Sequence, residues 1–245
     1  MRWVAGADEA GRGCLAGPLV AAAVLFDLDR LTPREVRALG RLNDSKQCTE
    51  ECREELYPVV MRTAAKVSVV SRCARRIDTR GLHRTNLDAL REALLRVASP
   101  STMGPAPSGA PASSGALAPS GALAPSGAPA PSGGPAPSGG PAPSGAPRGI
   151  CLSDGFPLGK DFPYPLRAIV DGDTKSAAIA AASIVAKVTR DRFMRRADAL
   201  HPGWDFATHV GYSTPEHRAA IRERGVSPLH RLSFQSLAYQ QLDLV

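Results

Sequence analysis

The sequence predicts an α/β protein with a mixed β-sheet, because segments typical of strands alternate with segments typical of helices. Apolar runs of strand length, such as residues 19–25, are bounded by polar or glycine-containing turns. Between them lie amphipathic or buried helical patterns, such as residues 82–97 and 176–196. Residues 99–147 belong to neither type, since they are almost entirely Ala, Pro, Ser and Gly.

The N-terminal segment is predicted to form a strand, a tight turn and a second strand. The first strand begins with residues 3–5 and ends at Asp8 and Glu9, and residues 19–25 form the second. The turn between the two strands contains three glycines, Gly11, Gly13 and Gly17.

Three further strands are predicted, at residues 67–70, 150–152 and 167–170. Helices are predicted to begin after Thr49 and Thr214, because each threonine can cap a helix whose first turn contains glutamate. The helix at 176–196 is apolar on all sides in its first half, so we expect that half to be buried.

Residues 99–147 carry no charged and no aromatic side chain. Such a segment cannot bury enough apolar surface to offset its conformational entropy, so we predict that it is disordered. Lengthening a loop from about 5 to about 50 residues costs only about 2 kcal/mol. We therefore expect residues 1–245 to form a single domain that this insertion, at about 99–148, interrupts.

The net charge of +7 favours an anionic partner, and nucleic acid is the commonest one. The same charge would also suit a membrane-surface protein or a ribosomal protein. Asp8 and Glu9 interrupt any apolar run after Met1, and no stretch of 18 apolar residues occurs, so we expect neither a signal peptide nor a membrane partner. The five cysteines contain no Cys-x-x-Cys pair, which favours free thiols in a reducing cytoplasm.

Acidic residues occur where predicted strands pass into loops. Asp8 and Glu9 follow the first strand, Asp154 follows residues 150–152, and Asp173 follows residues 167–170. In α/β sheets the ends of strands border the working crevice, and clustered carboxylates are the ligands that Mg²⁺ and Mn²⁺ prefer. Two such ions can activate a water molecule and stabilise a leaving oxygen. The alternative is that Asp154 and Asp173 are ordinary turn residues.

Several blocks of the sequence resemble ribonuclease HII. Asp8, Glu9 and the glycine-rich turn after them form the first block, and the apolar strand follows. Further blocks occur in order at residues 42–46, 153–155, 172–191, 209–217 and 228–234. Asn43 differs from the acid common in relatives, and residues 99–147 are outside the family pattern.

This resemblance implies a ribonuclease H-like fold, with a central five-stranded mixed sheet flanked by helices and further helices at the C-terminus. It implies two divalent ions, Mg²⁺ or Mn²⁺, held by four catalytic acids, Asp8, Glu9, Asp154 and Asp173. The implied reaction is hydrolysis of the RNA strand of RNA–DNA hybrids, and incision on the 5′ side of ribonucleotides embedded in duplex DNA. The products carry 3′-hydroxyl and 5′-phosphate ends.

The resemblance also implies residues that contact the substrate. The turn formed by Gly11, Arg12 and Gly13, called the 11–13 turn below, would read the 2′-hydroxyl, the group that distinguishes RNA from DNA. Tyr212 matches the tyrosine that stacks on the deoxyribose at the junction. Lys46 and Lys187 match phosphate-binding positions, although a surface ion pair is the alternative for Lys187.

Four arginines in the second half of the predicted helix 176–196 can contact the phosphate backbone or form a solvated face: Arg190, Arg192, Arg195 and Arg196. Ser183, in the first half, and Thr174 are expected to be core or capping hydroxyls.

Three other functions remain to be distinguished. A dinucleotide-binding oxidoreductase is disfavoured, because a strand rather than a helix follows the glycines. A non-catalytic nucleic-acid-binding module would bind hybrids without metal-dependent cleavage, and a related ribonuclease H subtype would differ in substrate preference. We expect a cytoplasmic monomer whose partner is duplex nucleic acid.

Overall fold

The computed structural model describes residues 2–44, 49–99 and 148–234. The predicted disordered insertion, apart from Ser99, lies outside these residues, and so does Lys46. The described residues on either side of the insertion belong to one compact unit.

A five-stranded mixed sheet forms the centre of this unit, as predicted. Its strands are β1 (Arg2–Ala10), β2 (Leu19–Asp27), β3 (Lys66–Arg72), β4 (Arg148–Asp154) and β5 (Leu166–Ile169), arranged in the order β3-β2-β1-β4-β5. The pairs β1–β2 and β2–β3 are antiparallel, whereas β1–β4 and β4–β5 are parallel. The strand predicted at 167–170 ends one residue earlier, at Ile169.

The helices within the described residues are α1 (Pro33–Gly40), α2 (Glu50–Thr63), α3 (Ala74–Arg80), α4 (Leu82–Ala98), α5 (Ala177–Leu200), α6 (Phe206–His209) and α7 (Pro215–Arg224). Three of them, α1, α3 and α6, were not predicted, because such short helices carry little periodic signal. A reciprocal capping box between Thr32 and Glu35 begins α1.

The helices α5 and α4 cover opposite faces of the sheet. Alternate residues of β2 point to the two faces, so that Val24 and Phe26 pack with the apolar half of α5, while Ala23 and Leu25 pack with α4. The approach of α5 to β1 is close, because a Cβ atom at Gly6 would lie 2.2 Å from the backbone of Ala178. The first half of α5 is buried, as the sequence predicted.

Threonine caps begin two helices at the predicted positions. The side chain of Thr49 accepts a hydrogen bond from the backbone N–H of Cys52 (3.3 Å), and Thr214 accepts one from His217 (3.2 Å). Cys14, Cys73 and Cys151 are free thiols, as expected. The expectation is wrong for Cys52, which is disulfide-bonded, because pairing of thiols depends on their spatial proximity and not on a Cys-x-x-Cys spacing.

The helices within the described residues are too short or too polar to be membrane spans. None of those helices combines the length and the apolar composition that crossing a bilayer requires.

Candidate active site

Strand β1 carries two neighbouring acids near its C-terminal end. Asp8 and Glu9 lie inside the strand, paired with Ala22 and Ala21 of β2, whereas the sequence placed them at its end. Successive side chains of a strand point to opposite faces, yet both acids are poorly solvated. Only 7% of Asp8 is exposed, and the Oε2 atom of Glu9 is buried without a hydrogen bond from the described residues.

Asp154 lies on the neighbouring strand beside these acids. It is the last residue of β4, which runs parallel to β1 with Ala7 opposite Ser153, so Asp8 and Asp154 are one step beyond this pair. The negative charge of Asp154 raises the pKa of both Asp8 and Glu9. The fold thus brings together acids that are about 145 positions apart in the sequence.

Asp173 lies in a short 3₁₀ turn, Gly172–Thr174, between β5 and α5. The backbone N–H of Gly172, the residue before it, donates a hydrogen bond to Oδ1 of Asp154 (2.7 Å). The turn that carries the fourth predicted acid is therefore attached directly to the third.

Burial and mutual repulsion make this group of acids electrostatically unfavourable. Burial, followed by the charge of Glu9, raises the pKa of Asp8 to about 7, although a hydrogen bond from Ser183 on α5 lowers it. Burial also raises the pKa of Glu9, while the facing Asn86 side chain and then the charge of Arg12 lower it. A bound cation would relieve this repulsion.

The donor atoms suit hard divalent ions, because they are carboxylate oxygens and one of them, Oε2 of Glu9, is buried and unsatisfied. Within the parts of the chain that the structure describes, however, no three ligand-type side chains already form an ion cage. The carboxylate donors themselves still fit Mg²⁺ or Mn²⁺, because both ions prefer oxygen ligands.

A cleft of about 360 Å³ opens beside Glu9. Glu9 shares its wall with Arg53, with the 11–13 turn, and with Ser183, Lys187 and Tyr212, which come from α5 and the segment after α6. The cleft thus joins one of the acids to five of the six residues that the resemblance implied for substrate contact. The sixth, Lys46, is outside the described residues.

The backbone of the 11–13 turn passes close to a buried side chain. Gly11 has φ +86°, and a Cβ atom there would lie 2.0 Å from Nε of Arg190, so a larger residue would be excluded by conformation and by space. The guanidinium of Arg12 lies 4.5 Å from the centre of the Phe156 ring. Gly13 has open space around it.

Tyr212 and Lys187 contact each other in the wall of the cleft. The Lys187 ammonium is 5.2 Å from the centre of the Tyr212 ring, and it also forms an ion pair of 2.8 Å with Asp191 one turn along α5. Burial raises the pKa of Tyr212, although 42% of this residue remains exposed. Lys187 is therefore both ion-paired, as the alternative held, and part of the cleft wall.

Three residues near the acids were not predicted from the sequence to lie there. Ser183, expected to be a core or capping hydroxyl, donates to Asp8, and Asn86 faces Glu9 although it is fully buried on α4. A polar residue at a buried position of an amphipathic helix was the available signal for Asn86. Arg53 lines the cleft from the first turn of α2, and its sequence context gave no signal.

The arginines of α5 differ from the predicted phosphate-contacting row. Arg190 is completely buried, so the expectation that it contacts phosphate or solvent is wrong. Arg192 and Arg195 form ion pairs with Glu54 and Glu50 of α2. These two pairs connect α5 to α2, whereas Arg196 is exposed.

Comparisons with known proteins agree with this fold. A family model described as Ribonuclease HII matches residues 5–100 and 151–237. A ribonuclease HII of Rhizobium johnstonii is 39% identical over 234 residues, which cover 96% of this chain and 78% of that protein.

Two solved structures share the fold. The ribonuclease H2 of Pyrococcus horikoshii aligns with a TM-score of 0.65 at 20% identity, over 99% of this chain and 97% of that one. Bst-RNase HIII in complex with Mn²⁺ aligns with a TM-score of 0.60 at 18% identity, over 99% and 70% of the two chains. At these identities the structures establish the ribonuclease H-like fold alone.

Fold and family define a hydrolytic nuclease with a ribonuclease H-like architecture, of a kind that depends on divalent metal ions. The chain belongs to the ribonuclease HII family. It is therefore a ribonuclease H, an endonuclease that acts on RNA–DNA hybrids.

Proposed function

We propose that this enzyme also incises duplex DNA on the 5′ side of a single embedded ribonucleotide, leaving 3′-hydroxyl and 5′-phosphate ends. The proposal further assigns two divalent ions, Mg²⁺ or Mn²⁺, to Asp8, Glu9, Asp154 and Asp173. The observation that carries it is the mutual charge coupling of Asp8, Glu9 and Asp154 beside a cleft that contains the 11–13 turn and Tyr212.

Different residues of the cleft can contact different parts of the substrate. The glycines of the 11–13 turn allow backbone groups to approach the minor groove, where the 2′-hydroxyl is displayed. The exposed part of the Tyr212 ring offers a flat apolar face to the sugar at the junction, and Lys187 and Arg53 supply positive charge for phosphates.

The acids supply the negative charge that the reaction requires. Ions bound there would activate the attacking water and stabilise the leaving oxygen. Ser183 donates to Asp8 and fixes the orientation of its carboxylate. The N–H of Gly172 does the same for Asp154, so two of the four acids are held in place before substrate arrives.

Cleavage of a duplex that contains one ribonucleotide tests the proposal, with an all-DNA duplex and an EDTA control. Wild-type enzyme should cut only the ribonucleotide-containing strand, and only with Mg²⁺ or Mn²⁺. Asp8→Asn and Asp154→Asn should each abolish cleavage while the fold is retained. Substantial metal-dependent cleavage by either variant would contradict the assigned site.

Asp171→Asn provides a matched control, because Asp171 is an exposed acid two positions from Asp173 in the same connection. Its backbone is left-handed (φ 53°), a conformation that asparagine tolerates well. This variant should cleave like the wild type. Hybrid binding without cleavage by the wild type would instead favour a non-catalytic binding module.

Because its substrate is cellular nucleic acid, we also propose that the protein acts in the cytoplasm, as a monomer. Sedimentation of the protein alone and with a hybrid duplex tests the oligomeric state, and a concentration-dependent dimer would contradict it.

A further inference from the structure

Arg190 is buried under the substrate-facing loops instead of facing solvent. Its exposed fraction is 0%, and its guanidinium donates to three backbone carbonyls: Pro18 (3.0 Å), Ala16 (2.9 Å) and Val210 (2.7 Å). Two of these carbonyls belong to the segment after the 11–13 turn, and the third lies two residues before Tyr212. One side chain therefore joins two loops that are separated by about 190 positions.

Arg231, in the C-terminal segment, makes a second set of such bonds. It is also completely buried, and it donates twice to the carbonyl of Gly17 (3.1 and 2.9 Å) and once to that of Arg12 (3.0 Å). The carbonyl of Arg12 is part of the 11–13 turn itself. Arg231 thus fixes the turn by a hydrogen bond to the peptide that links Arg12 to Gly13.

Backbone hydrogen bonds connect the same three segments. The carbonyl of Gly211 accepts from the N–H groups of Leu15 (2.9 Å) and Ala16 (3.3 Å). The N–H of Gly17 donates to Leu229 (2.8 Å), and the N–H of Arg231 donates to Leu15 (2.8 Å). The turn, the Tyr212 loop and the C-terminal segment consequently form one hydrogen-bonded unit.

The loop before Tyr212 is held in an unfavourable conformation. Val210 has φ +41°, which is rare for a β-branched residue and is found where surrounding structure enforces it. Its carbonyl is the acceptor of the shortest Arg190 bond. A buried guanidinium is unstable without its hydrogen-bond acceptors, and hydrogen bonds from a charged donor are strong. Arg190 can therefore impose this conformation on Val210.

We propose that Arg190 and Arg231 are positioning residues for ribose recognition. They lock the 11–13 turn and Tyr212 into one rigid unit, and this unit sets the preference of the enzyme for a ribose at the cleavage site. The inference rests on the proposed function, because it takes the turn and Tyr212 as the elements that contact the junction. Neither arginine touches substrate.

The test compares kinetics on two duplexes that differ only in the 2′ substituent at the cleavage position, hydroxyl or fluorine. Arg231→Lys, Arg231→Gln and Arg190→Lys each keep a donor but lose the forked geometry. In each variant the ratio of kcat/KM for ribose over 2′-fluororibose should fall by about 10-fold to 100-fold, since small misplacements of binding groups have effects of this size. The affinity for Mn²⁺, measured by calorimetry without substrate, should be unchanged.

Arg91→Lys is the matched control. Arg91 on α4 also donates to backbone carbonyls, those of Leu158 (2.9 Å) and Asp161 (3.3 Å), but it holds a loop that contributes no residue to the cleft. Its replacement should lower the melting temperature without changing the ribose preference. If Arg91→Lys reduced the preference as much as the other variants, a general structural effect would explain the result and the proposal would be overturned.

Hydrogen exchange on the wild-type enzyme gives a test that does not depend on the folding of the variants. The amides of Leu15, Gly17 and Arg231 should exchange with one common opening free energy, and independent exchange of these amides would overturn the proposal. Retained preference in folded Arg231 and Arg190 variants would also overturn it while leaving the proposed function intact. A wild-type enzyme without ribose preference would refute both.

Discussion

Asp8 is a residue whose ionised form folding disfavours. Its carboxyl is largely buried next to Glu9 and Asp154, which raises its pKa from the ordinary 3.8 to about 7. The folded protein therefore binds a proton that the unfolded chain releases at the same pH. The resulting stabilisation is complete below pH 3.8 and is lost as the pH rises through 7.

The first prediction concerns Asp8→Asn in EDTA at pH 8, where the wild-type carboxylate is ionised in both states. The neutral amide should stabilise the metal-free protein by up to about 4 kcal/mol, because it removes the cost of a desolvated charge. Urea unfolding measures this difference. Mg²⁺ should reduce the difference by stabilising only the wild type, and a variant less stable than the wild type in EDTA would contradict the burial of the charge.

At Tyr212, the exposed ring face is the part that would make the proposed contact with substrate. Tyr212→Ala removes it and should raise KM for a hybrid about 10-fold, given the usual stacking energies of about 1–3 kcal/mol. Tyr212→Phe keeps the ring and should bind like the wild type, which makes it the control. An alanine variant with unchanged KM would show that the ring does not contact substrate.

At the scale of elements, α5 serves two purposes along its length. Its N-terminal half is buried against the sheet and supplies Ser183 and Lys187 to the site. Its C-terminal half pairs Arg192 and Arg195 with α2. Exposed ion pairs of this kind contribute only about 0–1 kcal/mol each, so they orient α2 more than they stabilise it.

Three buried histidines organise the segment around α6 and α7. The rings of His209 and His217 stack with centres 4.0 Å apart, and Nε2 of His217 lies 3.1 Å from Nε2 of His230. The backbone N–H of Ser227 donates to Nδ1 of His230 (2.8 Å), and Nδ1 of His217 bonds the Tyr212 carbonyl (2.7 Å). One neutral tautomer of each of the two linked rings satisfies all of these bonds.

Acid should therefore destabilise this segment. Burial lowers the pKa of both His217 and His230 from 6.5 to about 4. Their neutral forms stabilise the fold fully above pH 6.5, and this contribution is lost as the pH falls toward 4, by about 3 kcal/mol for each ring. Urea unfolding at pH 7, 6 and 5 should show this loss as a decline relative to a variant whose ring does not titrate, because Asp8 titrates in the opposite direction over the same range.

Two variants check the assignment to these rings. His217→Gln should flatten the pH dependence, because the amide can keep both hydrogen bonds and does not titrate. His83→Gln changes an exposed histidine and should leave the profile unaltered. If the difference in stability between the wild type and His217→Gln were constant between pH 7 and 5, protonation of this buried ring would be excluded as a source of instability.

At the scale of the whole molecule, the four acids proposed to bind the metal ions lie on both sides of the alanine- and proline-rich insertion. Asp8 and Glu9 precede the insertion, and Asp154 and Asp173 follow it. The family match is interrupted between residues 100 and 151, in the same region. Residues 101–147 of the insertion therefore lie in the connection between α4 and β4 and outside the family match.

Deletion of residues 101–147, with a short Gly-Ser linker in their place, should leave kcat and KM for a hybrid within about 2-fold of the wild-type values. A shorter loop should also stabilise the protein slightly, by about 2 kcal/mol, because loop-closure entropy grows only logarithmically with length. Cleavage assays and thermal unfolding measure both. Loss of cleavage by a folded deletion variant would show that the insertion contributes to function.

Local sequence was sufficient for much of this protein. The strands, the buried half of α5, and the caps at Thr49 and Thr214 were all predictable, because hydrophobic periodicity and capping involve residues a few positions apart. The four acids were predicted as a group near strand ends, and their role remains a prediction. The fold places three of them close enough for the charges of Glu9 and Asp154 to raise the pKa of Asp8.

Only the tertiary structure decided which polar groups are buried and what they contact. The sequence placed Arg190 on a phosphate or in solvent, whereas folding encloses it under carbonyls up to 174 positions away. Asn86 became a neighbour of Glu9 and Asp8 acquired a pKa near 7 for the same reason. Desolvation and charge coupling depend on distances between remote segments, which are fixed by packing and leave no periodic trace along the chain.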